Sequence, residues 1–202
     1  YRRQRQMCIR DRMNTQFGFT DEKLQHASEK MLKFSEITGS DVVASTQNAK
    51  QAISVFHMSS GDLDSVLDDV AKTAQDTGVS VDNLFQKVIE GAPQLQELGL
   101  SFSGSVKLLG AFEQAGVDGS AALSSLSKAA VNYAKDGKSL NDGLAETQDK
   151  ILNATDKTEA LNVAAEVFGT KGAVRMVDAI QRGVLNLNDL GNAASDSQGT
   201  CL

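Results

Sequence analysis

Gly78-Val79-Ser80, Gly99-Leu100-Ser101 and Gly116-Val117-Asp118 repeat one arrangement: a glycine, an aliphatic residue, then a residue that caps helices. Glycine closes a helix by taking the left-handed conformation, and the aliphatic residue after it folds back onto the last turn. Ser or Asp then opens the next helix by accepting a backbone N–H. One tripeptide thus ends one helix and begins another. The glycines are 21 and 17 residues apart, which leaves room for one helix of three to four turns in each interval. The spacing is too uneven and the likeness too local for a true repeat; what it specifies is a succession of helical hairpins.

Apolar periodicity fills the intervals. Leu24, Ala27, Met31 and Phe34 step along one face of a helix that Thr20 would cap and Gly39 would stop. Ser40 would cap a second helix carrying Val42, Ala49, Ile53 and Phe56. A third begins near Gly61-Asp62 and has the cleanest stripe, Leu63, Val66, Leu67, Val70, Ala71 and Ala74. After Ser80 come Val81, Leu84, Phe85, Val88 and Ile89, which Gly91 and Pro93 should break or kink before Leu95 and Leu98. Further stripes follow: Phe102, Val106, Leu109 and Phe112; then Ala122, Leu126, Ala129, Ala130 and Tyr133. Ser139 would cap a helix with Leu140, Leu144 and Ile151, and Thr155 one with Leu161, Ala164 and Phe168. Ala173, Val174, Val177 and Ile180 form a short helix ending at Gly183, with Leu185, Leu187 and Leu190 as a final apolar patch. The expected fold is all-α, a multi-helix bundle of successive short hairpins with Leu67, Phe85, Leu109, Phe112, Leu126 and Phe168 buried. An extended chain of hairpins that packs only against partner copies is the alternative.

Composition agrees with helix and narrows the function classes. The 202 residues include 23 alanines, one proline and no tryptophan, and Ala and Pro are the best and worst helix formers. Apolar residues make up 41%, too many for a disordered chain. No apolar run approaches the 18 residues that span a bilayer. A net charge of −6 without aromatic platforms argues against nucleic-acid binding.

The two ends read differently from the rest. Residues 1–12, YRRQRQMCIRDR, hold five arginines and one acid, and Met7 and Ile9 form no stripe. No apolar segment follows that would make a secretory signal. A basic amphipathic arm is one reading; the string resembles translated sequencing adapter, and it is set aside from the fold as non-native. Removing five Arg and one Asp leaves 15 basic and 25 acidic residues, a net charge of −10. Cys201-Leu202 resembles the start of a similar artefact, and 191–202 is expected to fray. The credible chain is then an internal fragment, a helical domain over 13–190 whose cysteines (Cys8 and Cys201) both fall outside it. That leaves no disulfide or thiolate metal site.

The residues assemble no catalytic, cofactor or metal site. His26 and His57 lie on different expected helices. Asp68-Asp69 are neighbours about 100° apart on a helix and so make a solvated face. Gly169-Thr170-Lys171-Gly172 lacks phosphate-loop spacing and follows a helix, so it is read as a tight helix–helix turn. Asp118-Gly119 and Asp136-Gly137 lack the alternating ligands of a calcium loop. Asn153-Ala154-Thr155 fits a glycosylation sequon, and Lys128, Lys135 and Lys138 make a mild basic patch at a helix end.

Seven segments carry a resemblance. FSEITG at 34–39, DTGVSV at 76–81, LGLSF at 98–102 and GAFEQAGVD at 110–118 resemble the tail tape measure proteins of long-tailed bacteriophages. So do VFGTKGA at 167–173, MVDAI at 176–180 and LNLNDL at 185–190. No one segment is diagnostic; their order and spacing from about residue 20 to 190 carry the likeness. The resemblance implies a structural, non-enzymatic protein of the virion or prophage. It would lie in the tail lumen, set tail length, and act in tail assembly and DNA ejection. It implies tail tube protein, tail assembly chaperones and tail-tip proteins as partners, self-association, and residence in the host cytoplasm during assembly. The short glycine-punctuated helices differ from an uninterrupted ruler helix, so a compact domain within the longer protein is expected.

Two other classes compete. One is a helical protein–protein interaction module of the bacterial cytoplasm, which would lack tail genes as neighbours. The other is a muralytic enzyme fragment, which needs a buried Glu in a polar cleft. Glu90, Glu113 and Glu166 are available to it, none with a partner at a suggestive spacing.

Overall fold

The computed structural model describes residues 2–183 together with Asn186 and Leu187. The expectations for Leu185, Leu190 and residues 191–202 lie outside the described residues. The fold is all-α, as the periodicity requires. In chain order the helices are α1 (Arg2–Phe17), α2 (Asp21–Thr38), α3 (Val42–Val55), a 3₁₀ turn (Ser60–Asp62) and α4 (Leu63–Thr77). Next come α5 (Val81–Glu97), α6 (Phe102–Gln114), α7 (Gly119–Lys135), α8 (Leu140–Leu152), α9 (Lys157–Phe168) and α10 (Thr170–Gln181). The principal packing partners are helices one or two places apart in sequence.

The chain divides into two compact units, Tyr1–Ile89 and Glu90–Leu202. The boundary falls inside α5, next to the Gly91 and Pro93 expected to break or kink it.

In the first unit α2, α3 and α4 pack on one another, and α1 lies on α2 and α3. Leu24, Ala27, Met31 and Phe34 of α2 are buried, as are Ala49, Ala52 and Ile53 of α3. Leu63, Val66, Leu67 and Val70 of α4 complete this core with Val81, Leu84, Phe85 and Val88 from the start of α5. Burying each large side chain contributes about 1.5–3 kcal/mol, so these stripes hold the unit. The segment set aside as non-native is helical here, with Ile9 buried.

In the second unit α9 is the hub, touching α7, α8 and α10. Its Phe168 meets Phe112 of α6 edge to face, with centroids 6.4 Å apart at 77°. Leu95, Leu109, Leu123, Leu126, Ile151 and Met176 are fully buried around them. Leu187 is buried too, and its N–H donates to Gln148 Oε1 at 2.6 Å. All six residues expected in the core are buried.

Two of the three tripeptide junctions form as their chemistry dictates; at Gly78 (φ 73°) the glycine is left-handed, but Val79 is only half-buried and its N–H reaches Thr77 Oγ1 at 3.4 Å. At Gly99 (φ 75°) the Leu100 N–H donates to the Leu95 carbonyl at 3.0 Å and the Gly99 N–H to that of Gln96 at 2.9 Å. At Gly116 (φ 68°) the Val117 N–H reaches Phe112 O at 2.8 Å. Leu100 and Val117 are buried, and Ser101 and Asp118 cap the next helices. Gly137-Lys138-Ser139 is a third such joint, with the Lys138 N–H on Tyr133 O at 2.9 Å and Ser139 capping α8. Its central lysine hid it from an aliphatic pattern.

Several local expectations are corrected. Asp41, not Ser40, caps α3, accepting from the Ala44 N–H at 2.9 Å. Ser40 is instead held by Thr38 and Ser45. Asp156, not Thr155, caps α9, accepting from Glu159 N–H at 2.8 Å, while Thr155 donates to the Glu159 carboxylate. Thr20 holds the N-cap position of α2 without a side-chain cap bond. Val174 is exposed, because Met176 and Ala179 fill the inner face of α10 in its place. Pro93 lies inside α5, which continues to Glu97. Ala92 and Leu95 are fully buried there, and their burial offsets a helical proline's cost of about 3 kcal/mol.

Candidate functional site

Each residue singled out by the sequence has a definite place. His26 on α2 is 68% exposed, with Nδ1 3.4 Å from Asp64 Oδ2 of α4. His57 is exposed in the turn after α3, at φ 55°. A cleft of about 660 Å³ opens beside His26, lined in part by Phe17, Phe19, Lys23, Leu63 and Asp64. Phe17 and Phe19 stack on each other at 5.4 Å. Ser60 and Thr20 also line this cleft.

The carboxylates serve structure. Asp68 is paired with Lys30 at 2.7 Å, Asp118 caps α7, and Asp136 ends that helix. Gly169 is at once the last cap of α9 and the first of α10, which makes the Gly169–Gly172 stretch a one-residue corner. A Cβ on Gly169 would lie 2.7 Å from Ser125 Oγ, so the corner also admits α7 closely. Asn153 ends α8, its Nδ2 donating to the Asp149 carbonyl at 2.9 Å. Glu90 and Glu166 are exposed and Glu113 is half-buried. The lysine patch is divided, since Lys138 pairs with Glu146 while Lys128 and Lys135 are exposed.

The densest polar cluster escaped the sequence reading. The half-buried Tyr133 lays its ring over the buried Gly143 of α8, where a Cβ would lie 2.3–2.6 Å from ring carbons. The Tyr133 hydroxyl is 2.6 Å from Thr147 Oγ1, and Thr147 donates to the Gly143 carbonyl at 2.8 Å. Beside them Glu146 is held by Lys138 and by Lys150 at 2.8 Å. A pocket of about 180 Å³ joins these groups to Glu166. Burial raises the Tyr133 pKa above its ordinary value. The hydrogen bonds from Lys138 and then Lys150 lower that of Glu146 to about 2. The bond between Tyr133 of α7 and Thr147 of α8 braces the two helices against each other. The i,i+4 pair Glu146–Lys150 was legible; the Tyr133–Gly143 approach depends on how two helices cross.

Among the described residues no three His, Cys, Asp or Glu side chains gather closely enough to hold a metal ion. No described helix is long and apolar enough to cross a membrane.

Comparison with known proteins returns matches in sequence. A family model described as "Phage-related minor tail protein" matches residues 12–195. A protein named "Tape measure protein" from Pneumococcus phage Dp-1 is 26% identical over 129 residues. That stretch covers 64% of this chain and 11% of the relative, so the chain spans a small part of that protein's length. No solved structure matches.

Proposed function

The chain belongs to the phage-related minor tail protein family, and on that premise we propose that it is a structural segment of a tail tape measure protein. The observation that carries this reading is the family match across nearly the whole chain, joined by the likeness to a named tape measure protein. The all-helical, glycine-jointed architecture supports a structural part rather than a catalyst. In this reading the parent protein lies in the lumen of the tail, sets tail length, and takes part in assembly and DNA ejection. Its partners are the tail tube protein, assembly chaperones, tail-tip proteins and further copies of itself, met first in the host cytoplasm. Residues 13–190 are the helical tape-measure part. Residues 1–12 we read as non-native, next to a family match that begins at residue 12 and runs to 195, past the proposed end of this part at 190.

Two measurements on the phage or prophage encoding the chain test this. Mass spectrometry of purified virions should find peptides of this segment; their absence from virions but presence in lysate would favour the cytoplasmic interaction module. In-frame deletion of residues 20–190 from the parent gene should either shorten tails or abolish tail formation. A helix converts deleted residues to length at about 1.5 Å each, which bounds any shortening. Tails of normal length and number after the deletion would refute the proposal.

A further inference from the structure

Three separate observations coincide in the middle of α5. The division between the two units falls between Ile89 and Glu90. Pro93 has no N–H, so the carbonyl of Ile89 lacks its ordinary helical partner. Gly91 sits between them, and glycine is the residue that a helix interior holds least firmly after proline.

The two ends of α5 are, by contrast, anchored separately. Val81, Leu84, Phe85 and Val88 are buried on the first side of the division. Ala92 and Leu95 are buried on the second, and a Cβ on Gly91 would lie 2.9 Å from Leu123 Cδ1 of α7. Ile89 is half-buried, and Glu90 and Pro93 are exposed. Water can therefore solvate the carbonyl that proline leaves without a partner, and the backbone can bend there without opening either core.

We propose that residues 89–93 form a hinge, placed by Pro93, at which the two units reorient as bodies while each keeps its own packing. The hinge is independent of the chain's role and would hold for any function.

The test compares the intact chain with Pro93→Ala, which restores the N–H for the Ile89 carbonyl and improves helix propensity, so the variant should fold. In the native sequence the amides of residues 90–92 and 94 should exchange at least tenfold faster than those of residues 84–88. Pro93→Ala should slow them at least tenfold while leaving residues 84–88 unchanged. In parallel, spin labels at Lys50→Cys and Lys128→Cys, both exposed sites in different units, report the distance distribution after Cys8→Ser and Cys201→Ser. It should be broad in the native sequence and narrow in Pro93→Ala. Uniform exchange along α5, or a distribution that Pro93→Ala fails to narrow, would overturn the hinge.

Discussion

Replacing Gly143 by Ala should destabilise the second unit, against the ordinary rule for helices. Gly143 is in the interior of α8 and has no positive φ, so on propensity alone the change gains about 1 kcal/mol. The added Cβ, however, would lie 2.3, 2.4 and 2.6 Å from Tyr133 Cδ2, Cγ and Cε2. The ring must swing out, at an overpacking cost of about 1–3 kcal/mol. The hydroxyl then leaves Thr147, now 2.6 Å away, which loses about another 1 kcal/mol. The balance is a loss of about 1–3 kcal/mol, a melting-point drop of roughly 4–8 °C per kcal/mol in a domain of about 100 residues. Urea unfolding of the intact chain, followed by helical circular dichroism, measures it. The sign supplies the sharper check. With Tyr133→Ala already in place the obstacle is gone, and Gly143→Ala should then stabilise by about 1 kcal/mol. The two positions should thus couple by about 2 kcal/mol or more in a double-mutant cycle. A Gly143→Ala variant as stable as the parent, or an effect of the same sign in both backgrounds, would refute the reasoning.

Other perturbations separate other sources of stability. Leu67→Ala and Phe112→Ala remove fully buried side chains from the two cores and should each cost about 2–5 kcal/mol in denaturant unfolding; a loss below about half a kcal/mol would place the stripe in water. Asp41→Ala and Asp156→Ala should each cost about 1 kcal/mol as true caps, and Ser40→Ala and Thr155→Ala clearly less. Gly99→Ala meets no atom within 4 Å, so its cost, about 1–2 kcal/mol, is that of the left-handed backbone alone. The folded pKa of Glu146 is held at about 2 by Lys138 and Lys150. Its depressed value means its stabilising effect is present above the unfolded pKa near 4.5 and lost as pH falls from there to about 2. Thermal melts across that window should flatten in Glu146→Gln, and a carboxyl titration of Glu146 at an ordinary value would contradict the pairing.

Most of the fold was legible because its determinants are local. The stripes of α2, α4 and α6 repeat at helical spacing, and Gly39, Gly78 and Gly116 mark their ends by a conformation that other residues avoid. What the sequence hid depends on the third dimension or on a balance of energies. Ser40 and Asp41 are both capping types, and only backbone angles decide which one the helix uses; the same holds at Thr155 and Asp156. Pro93 reads as a breaker until the burial of Ala92 and Leu95 is weighed against it. Tyr133 and Gly143 belong to different helices across a turn, so their contact has no periodic signature. Gly169 resembles part of a phosphate loop by type alone, and its single-residue corner shows why glycine stands there. The polar cluster at Tyr133 followed from no motif, since its members are ordinary residues brought together by the crossing of α7 and α8.

Because each helix leans chiefly on neighbours one or two places away, closing any contact requires only a short stretch of chain to be drawn in. Little entropy is lost at each step, and such low contact order goes with rapid folding. A nascent chain can complete each corner as it leaves the ribosome, without waiting for distant sequence.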